Sequence, residues 1–195
     1  MNTKSTRDHI IDAADQLFYQ QGYNHTSFAD ISGAVKISRG NFYHHFKTKD
    51  EILGAVINRR ITNTRTLLNS WEDETHSPAQ RICCFVNILI TNQTKIMQYG
   101  CPVGTLATEL TKLHHSAQPE AVKLFTLFRE WLSGQFTQLG HADRADALAM
   151  HLLARSQGIA SLASAFQDAA FVKQEVDDAC AWVLSLSQEV DQKCS

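Results

Sequence analysis

Between Ser27 and Glu51 the chain carries three helix-start signals in quick succession, and this crowding limits its fold more than any bulk property. Ser27-x-x-Asp30 has the spacing of a capping box, in which the hydroxyl accepts from the N3 amide and the acid reaches back to the N-cap amide. Ser38 is a further N-cap, with Ile37 and Phe42 at the N′ and N4 positions of a hydrophobic staple. Thr48-x-x-Glu51 repeats the capping-box spacing and starts a longer helix expected to run to about Leu68. The two starts before it leave room only for short helices, joined by the turn Val35-Lys36-Ile37.

The remainder also reads helical. Apolar residues recur at threes and fours, β-branched residues are scattered, and no Asn-Gly or Asp-Gly hairpin signal appears. Ile10, Ala14, Leu17 and Phe18 make one face of a first helix, and Gly22 stops it. An acidic link, WEDETHS, precedes a helix opened by Ser77-Pro78 and closed by Gly100. Another follows Pro102. Pro119 to Leu139 carries Phe125, Phe128, Leu132 and Phe136 on one face, and two more helices cover roughly Asp143 to Phe166 and Phe171 to Val190. The expected fold is all-α with about nine helices. A three-helix head over residues 1–48 precedes a larger helical body over residues 49–195.

Composition narrows the function classes. Forty-four per cent apolar residues is ordinary for a globular chain. No secretory h-region is visible at the N-terminus, and the apolar run from Cys83 to Ile90 is too short to span a bilayer. A cytoplasmic protein is expected. Cysteines at 83, 84, 101, 180 and 194 show no zinc spacing, so neither a metal nor another cofactor is expected. Up to Arg65 the chain has nine basic and six acidic residues, and beyond it nine and fourteen. A basic head on an acidic body suits a chain of which one end meets a polyanion.

The head carries the sharpest chemistry. On a helical wheel from Ser38 to Phe46, Phe42 and Phe46 stack at i, i+4 and face inward. Gly40, Asn41 and His44 lie opposite, with Tyr43 and His45 on the flanks. Gly40 weakens the helix by roughly 1 kcal/mol, which fits a face that something large must approach. Lys49, at the first position of the Thr48-capped helix, opposes the helix dipole, a placement that suits a lysine sharing an anion with the helix N-terminus. Two short helices about a tight turn form a helix-turn-helix, whose second helix enters a DNA major groove.

Gly22, Thr26-Ser27, Asp30-Ile31, Ser38-x-Gly40-x-Phe42-Tyr43-x-His45-Phe46 and Lys49-x-x-Ile52-Leu53 together resemble the TetR family of bacterial transcriptional regulators. One departure is Val35-Lys36, where that family usually has Ala-Gly. A turn residue there often needs φ above zero, which costs lysine more than glycine. The resemblance implies that Arg39, Asn41 and His44 read base edges, while Thr26, Ser27, Tyr43, Lys47 and Lys49 clamp phosphates. Lys36, Ser38 and Gly40 complete the expected DNA-facing set.

It also implies a homodimer on a two-fold-related operator, since one recognition helix reads only a few base pairs. Ala145, Ala149, Ala154, Gly158, Ser161 and Ala165 make a small-residue surface, and Trp182, Leu184, Leu186 and Val190 are expected to fill the seam as a four-helix bundle. By the same analogy the middle helices form a pocket for a small apolar or aromatic inducer. Phe85, Leu89, Ile96, Phe125, Phe128 and Trp131 are its expected lining, with Asn92 and Gln93 orienting the ligand. In YGCPVGTLATEL, Pro102 at N1 makes Cys101 the N-cap of the next helix, where the dipole favours thiolate. Cys101 is therefore either a small residue at a tight corner or the sensor of an electrophile.

The leading expectation is a repressor, not an enzyme, released from its operator by an inducer. The alternatives are a Cys101-based electrophile or redox sensor, a thiol enzyme using Cys101 with His114 or His115, and a DNA-bound protein without an effector.

Overall fold

Side chains close nearly every helix start in the N-terminal third. Ser5 with Asp8 and Ser27 with Asp30 form full capping boxes, and the Ser38 hydroxyl accepts from the Asn41 amide at 3.3 Å. At Thr48 the hydroxyl accepts from the Glu51 amide at 3.1 Å, but the Glu51 carboxylate takes the Lys47 amide one residue further out. These caps satisfy the orphan amides of the first turns, so short helices become stable in place.

The computed structural model describes residues 4–75 and 77–193, with the side chains of Arg39 and of residues 189–193 outside that description. The Val190 side chain and Cys194, both considered above, fall outside it. Among the described residues the fold is helical throughout, with no strand. The helices are α1 (Thr6–Gln21), α2 (Phe28–Val35), α3 (Arg39–His45), α4 (Lys49–Glu74), α5 (Pro78–Thr91), α6 (Gln93–Tyr99), α7 (Pro102–Lys112), α8 (Gln118–Gln138), α9 (Ala145–Phe166) and α10 (Ala169–Lys193).

Two boundaries differ from expectation. α4 runs through the acidic stretch to Glu74, because Trp71 is buried and Glu72 accepts from Trp131 Nε1 at 2.8 Å and Gln135 Nε2 at 3.2 Å. Packing there overrides a composition that reads as a link. The helix expected from Ser77 to Gly100 breaks at Asn92, whose side chain donates to the Ile88 carbonyl at 3.1 Å. An asparagine amide competes in this way with the backbone ladder. This break brings the count among the described residues to ten.

The chain divides into two compact units: residues of Met1–Asn63 with Pro102–Leu124, and residues of Thr64–Cys101 with Phe125–Ser195. The first unit buries Ile10, Phe18, Ile31, Phe42, Phe46, Ile52, Leu53 and Ile57 together with Leu106 and Leu110 of α7. The second buries Leu68, Ile82, Leu89, Leu132, Phe136, Leu152, Val176 and Val183. Large apolar side chains sealed from water supply the bulk of the stability of each.

Candidate nucleic-acid interface

α3 is pinned by its two phenylalanines. Phe42 is fully buried and Phe46 nearly so, and the edge of Phe28 packs on Phe42 at 4.7 Å between ring centroids. Arg7 lies over the Phe46 ring at 4.8 Å, a cation–π contact. With that face anchored, Gly40, Asn41, Tyr43 and His44 are exposed on the others. A Cβ added at Gly40 would meet open space, so the glycine leaves the backbone bare on the outward side.

The turn before α3 contains the strain that the sequence suggested. Lys36 caps α2 in the left-handed region at φ 52° and ψ 38°, and its side chain is exposed. Ser27, Ser38 and Lys47 are exposed as well. The Tyr43 ring leans on Phe28 at 5.1 Å yet stays 48% exposed, and its carbonyl accepts from Lys47 Nζ. Arg39 takes the first position of α3, and its side chain lies outside the described residues.

Two of the expected phosphate clamps are occupied inside the unit. Thr26 is 1% exposed and its hydroxyl donates to the Gly22 carbonyl at 2.7 Å. Lys49 is half-buried over the Tyr23 ring, and its ammonium donates to the carbonyls of Tyr23 at 2.9 Å and Thr26 at 3.0 Å. The carbonyls of the α1–α2 connection, not an outside anion, account for a cation at this helix start.

A set of residues that sequence reasoning missed completes this connection. The Glu109 carboxylate of α7 accepts from the amides of Tyr23 and Asn24, each at 2.9 Å. Gly22, at φ 87°, is the residue that permits the approach, because a Cβ there would lie 2.9 Å from a Glu109 oxygen. The Tyr23 hydroxyl donates to Asp50 and lies 3.2 Å from His115 Nε2. Burial, and then the Asp50 carboxylate, push the Tyr23 phenol well above its usual range. Arg60 adds a tie, pairing with Asp15 at 2.6 Å and donating to the Pro102 carbonyl at 2.6 Å. Pro102 at the N1 position announced α7, but nothing in the sequence pointed to Glu109 as the partner of Tyr23.

In the second unit, Phe85 and Leu89 are buried in the core and Ile96 with them. Phe125, Phe128 and Trp131 are half-buried against that core, with Phe85–Phe128 at 5.3 Å and Trp71–Trp131 at 5.6 Å. Gln93 donates to the Ala169 carbonyl at 3.0 Å, so both expected orienting amides bond to backbone. Cys101 is half-buried, and its sulfur accepts from Gln157 Nε2 at 3.5 Å.

Ala154, Gly158, Ser161 and Ala165 are exposed at helical spacing on α9, and a Cβ at Gly158 would also meet open space. Met150, Leu162 and Phe166 of α9 and Leu184 of α10 are exposed too, Phe166 by 73%. Leu186 instead faces the core, and Trp182 is half-buried against Phe136 and His151. Among the described residues, no helix is long and apolar enough to cross a membrane, and no cluster of His, Cys, Asp and Glu could hold a metal.

A short helix braced by two buried rings, following a tight turn and showing donors outward, makes this chain a helix-turn-helix transcriptional regulator. The pattern of the bacterial regulatory proteins of the tetR family matches residues 10–56. An HTH-type transcriptional regulator of the lacX 3′ region of Lactococcus lactis subsp. lactis is 28% identical over 90% of this chain and 92% of its own. The HTH-type transcriptional repressor DhaR of Mycobacterium sp. (strain GP1) is 28% identical over 78% of this chain and 79% of its own. The crystal structure of a TetR transcriptional regulator from Legionella pneumophila superposes with a TM-score of 0.80 at 27% identity, covering 92% of this chain and 99% of that one. Residues 10–56 thus carry the helix-turn-helix pattern of the TetR family, and the chain as a whole shares the fold of a TetR transcriptional regulator.

Proposed function

We propose that this regulator is a repressor that holds a palindromic operator as a homodimer and releases it when a small apolar or aromatic inducer binds the helical body. The observation that carries the DNA reading is the two-sided α3: Phe42 and Phe46 sealed inside, with Asn41, Tyr43 and His44 presented outside. Asn41 and His44 read base edges, with Arg39 at the helix start as their companion. Ser27, Lys36, Ser38, Tyr43 and Lys47 set register on phosphates, and the bare backbone at Gly40 lets the duplex come close. Repression is supported by the name of DhaR, a relative along most of both chains.

The α9 strip supports the dimer. Small exposed residues allow close helix approach, and the exposed Met150, Leu162, Phe166 and Leu184 supply apolar surface that a partner copy would cover. In the inducer step, an effector must bind the DNA-incompetent conformer better, and a hundredfold release requires about 2.7 kcal/mol of coupling. Glu109 offers a route by which α7 acts on the α1–α2 connection, because two amides of that connection depend on its position.

Fluorescence-anisotropy binding to the DNA upstream of its own gene, over a salt series, tests this reading. Tight binding should weaken steeply with salt, and Asn41→Ala and His44→Ala should each lose discrimination at defined base pairs, by roughly 1–3 kcal/mol. Binding that is equally strong to unrelated DNA after a screen of genomic fragments would overturn it. A second reading, electrophile sensing at Cys101, has in its favour the Gln157 amide directed at the sulfur. An electrophile that releases DNA from the natural chain but not from Cys101→Ser would establish it.

A further inference from the structure

A second cysteine site lies within the second unit, on helices packed side by side. Cys83 of α5 and Cys180 of α10 are both half-buried. The Cys83 sulfur lies 4.0 Å from the Cys180 carbonyl oxygen. Asn87, one turn along α5, donates to the Cys83 carbonyl at 2.9 Å and sits 3.8 Å from Cys180 Sγ, so its amide is directed at the second sulfur. The Cys83 thiol points at the Cys180 carbonyl, and the nearness of the two cysteines holds the Cys83 thiol well above the ordinary range and the Cys180 thiol below it. Cys84 diverges from the pair, and burial raises its thiol.

We propose that Cys83 and Cys180 form a reversible dithiol–disulfide site that reacts with small hydroperoxides and cross-links α5 to α10. Cys180 Sγ attacks the hydroperoxide oxygen, the O–O bond breaks, and an alcohol or water leaves, with the sulfur becoming a sulfenic acid. Cys83 Sγ then attacks that sulfur, the S–O bond breaks, and the hydroxyl departs as water with the Cys83 proton. The two thiols have together lost two protons and two electrons, and the hydroperoxide has been reduced to an alcohol (or water) and one further water. Asn87 supports the first step by directing its amide at the attacking sulfur.

The test is proteolytic peptide mapping of the full-length natural chain after stoichiometric hydrogen peroxide, with free thiols alkylated before digestion. A disulfide-linked pair of peptides containing Cys83 and Cys180 is expected, and a dithiol reductant should separate it. Cys84→Ser should leave the linkage intact, and Cys83→Ser should abolish it and leave Cys180 as a trapped sulfenic acid or its overoxidised forms. Linkage of Cys180 to Cys84, linkage of Cys83 to Cys84, or oxidation confined to Cys101 would each overturn the assignment. So would unchanged alkylation of all thiols after peroxide. Since the natural chain supplies the primary readout, a variant that folds poorly does not obscure the result.

Discussion

Both compact units of this molecule are built on apolar cores, and they differ in where their charged side chains end. In the unit that carries α3, charged and polar side chains end on backbone atoms of irregular segments: Glu109 on the amides of Tyr23 and Asn24, Lys49 on the carbonyls of Tyr23 and Thr26, Thr26 on Gly22. In the other unit the helices lie against one another through Leu, Ile, Val, Ala and Phe, and the ion pairs sit at the edges, as with Arg155–Glu175 and Arg129–Asp146. Directional bonds define positions to a fraction of an ångström, whereas apolar packing defines volume and tolerates repacking. A helix that must meet the groove of a duplex needs the first kind of support.

The largest effects should come from the two cores, and they should separate the units. Phe42→Ala and Phe136→Ala each remove a fully buried ring, and each should cost about 3–5 kcal/mol in urea unfolding. Phe42→Ala should also abolish specific DNA binding under conditions where circular dichroism still shows a helical chain. Phe136→Ala should leave DNA affinity within a few-fold while the chain remains folded. Equal loss of DNA binding in both would show that the two units do not divide the work in this way.

Next comes Glu109→Ala, which leaves two amides of the α1–α2 connection without their carboxylate. We expect a loss of roughly 1.5–3 kcal/mol, as for hydrogen bonds to a charged group, with faster amide exchange at Tyr23 and Asn24. A loss within experimental error would show that water replaces the carboxylate and that the connection does not depend on α7. Lys36→Gly works in the opposite direction. Relief of the left-handed lysine, offset by the flexibility of glycine, should stabilise the chain by up to about 1 kcal/mol. The same change should make the salt dependence of DNA binding shallower by about one phosphate contact.

The smallest effects belong to the exposed groups. Arg155→Ala should change stability by less than about 1 kcal/mol, since both members of its pair are partly solvated. Asp30 is held below the usual carboxylate range by the Ser27 hydroxyl and the Ser27 amide. Its folded value lies below its unfolded one, so its contribution is present above the ordinary carboxylate value and is lost as pH falls through the folded value. Asp30→Asn should therefore flatten a small part of the acid limb of the stability curve, and an unchanged curve would show the capping box to be energetically idle.

The short-range signals were legible because their chemistry is local. The capping box at Ser27, the hydroxyl cap at Thr48, the stop at Gly22, the left-handed turn at Lys36 and the inward pair Phe42 and Phe46 each involve residues within a few positions of one another. The hydrogen-bonding reach of a serine or the 3.6-residue period decides them. From these alone followed the all-helical class and a helix-turn-helix with α3 showing Gly40, Asn41 and His44 outward. Tertiary structure decided what depends on residues far apart in the chain. Lys49 looked like an anion ligand because its dipole cost was visible while the carbonyls of Tyr23 and Thr26 that offset it were not. Leu186 and Leu184 are indistinguishable by composition, and only packing turns one to the core and the other to the surface. The Glu109 cap and the meeting of Cys83 with Cys180 join positions nearly a hundred residues apart, |i−j| being 86 and 97. No periodicity spans such separations; helix packing alone brings these atoms within hydrogen-bonding range.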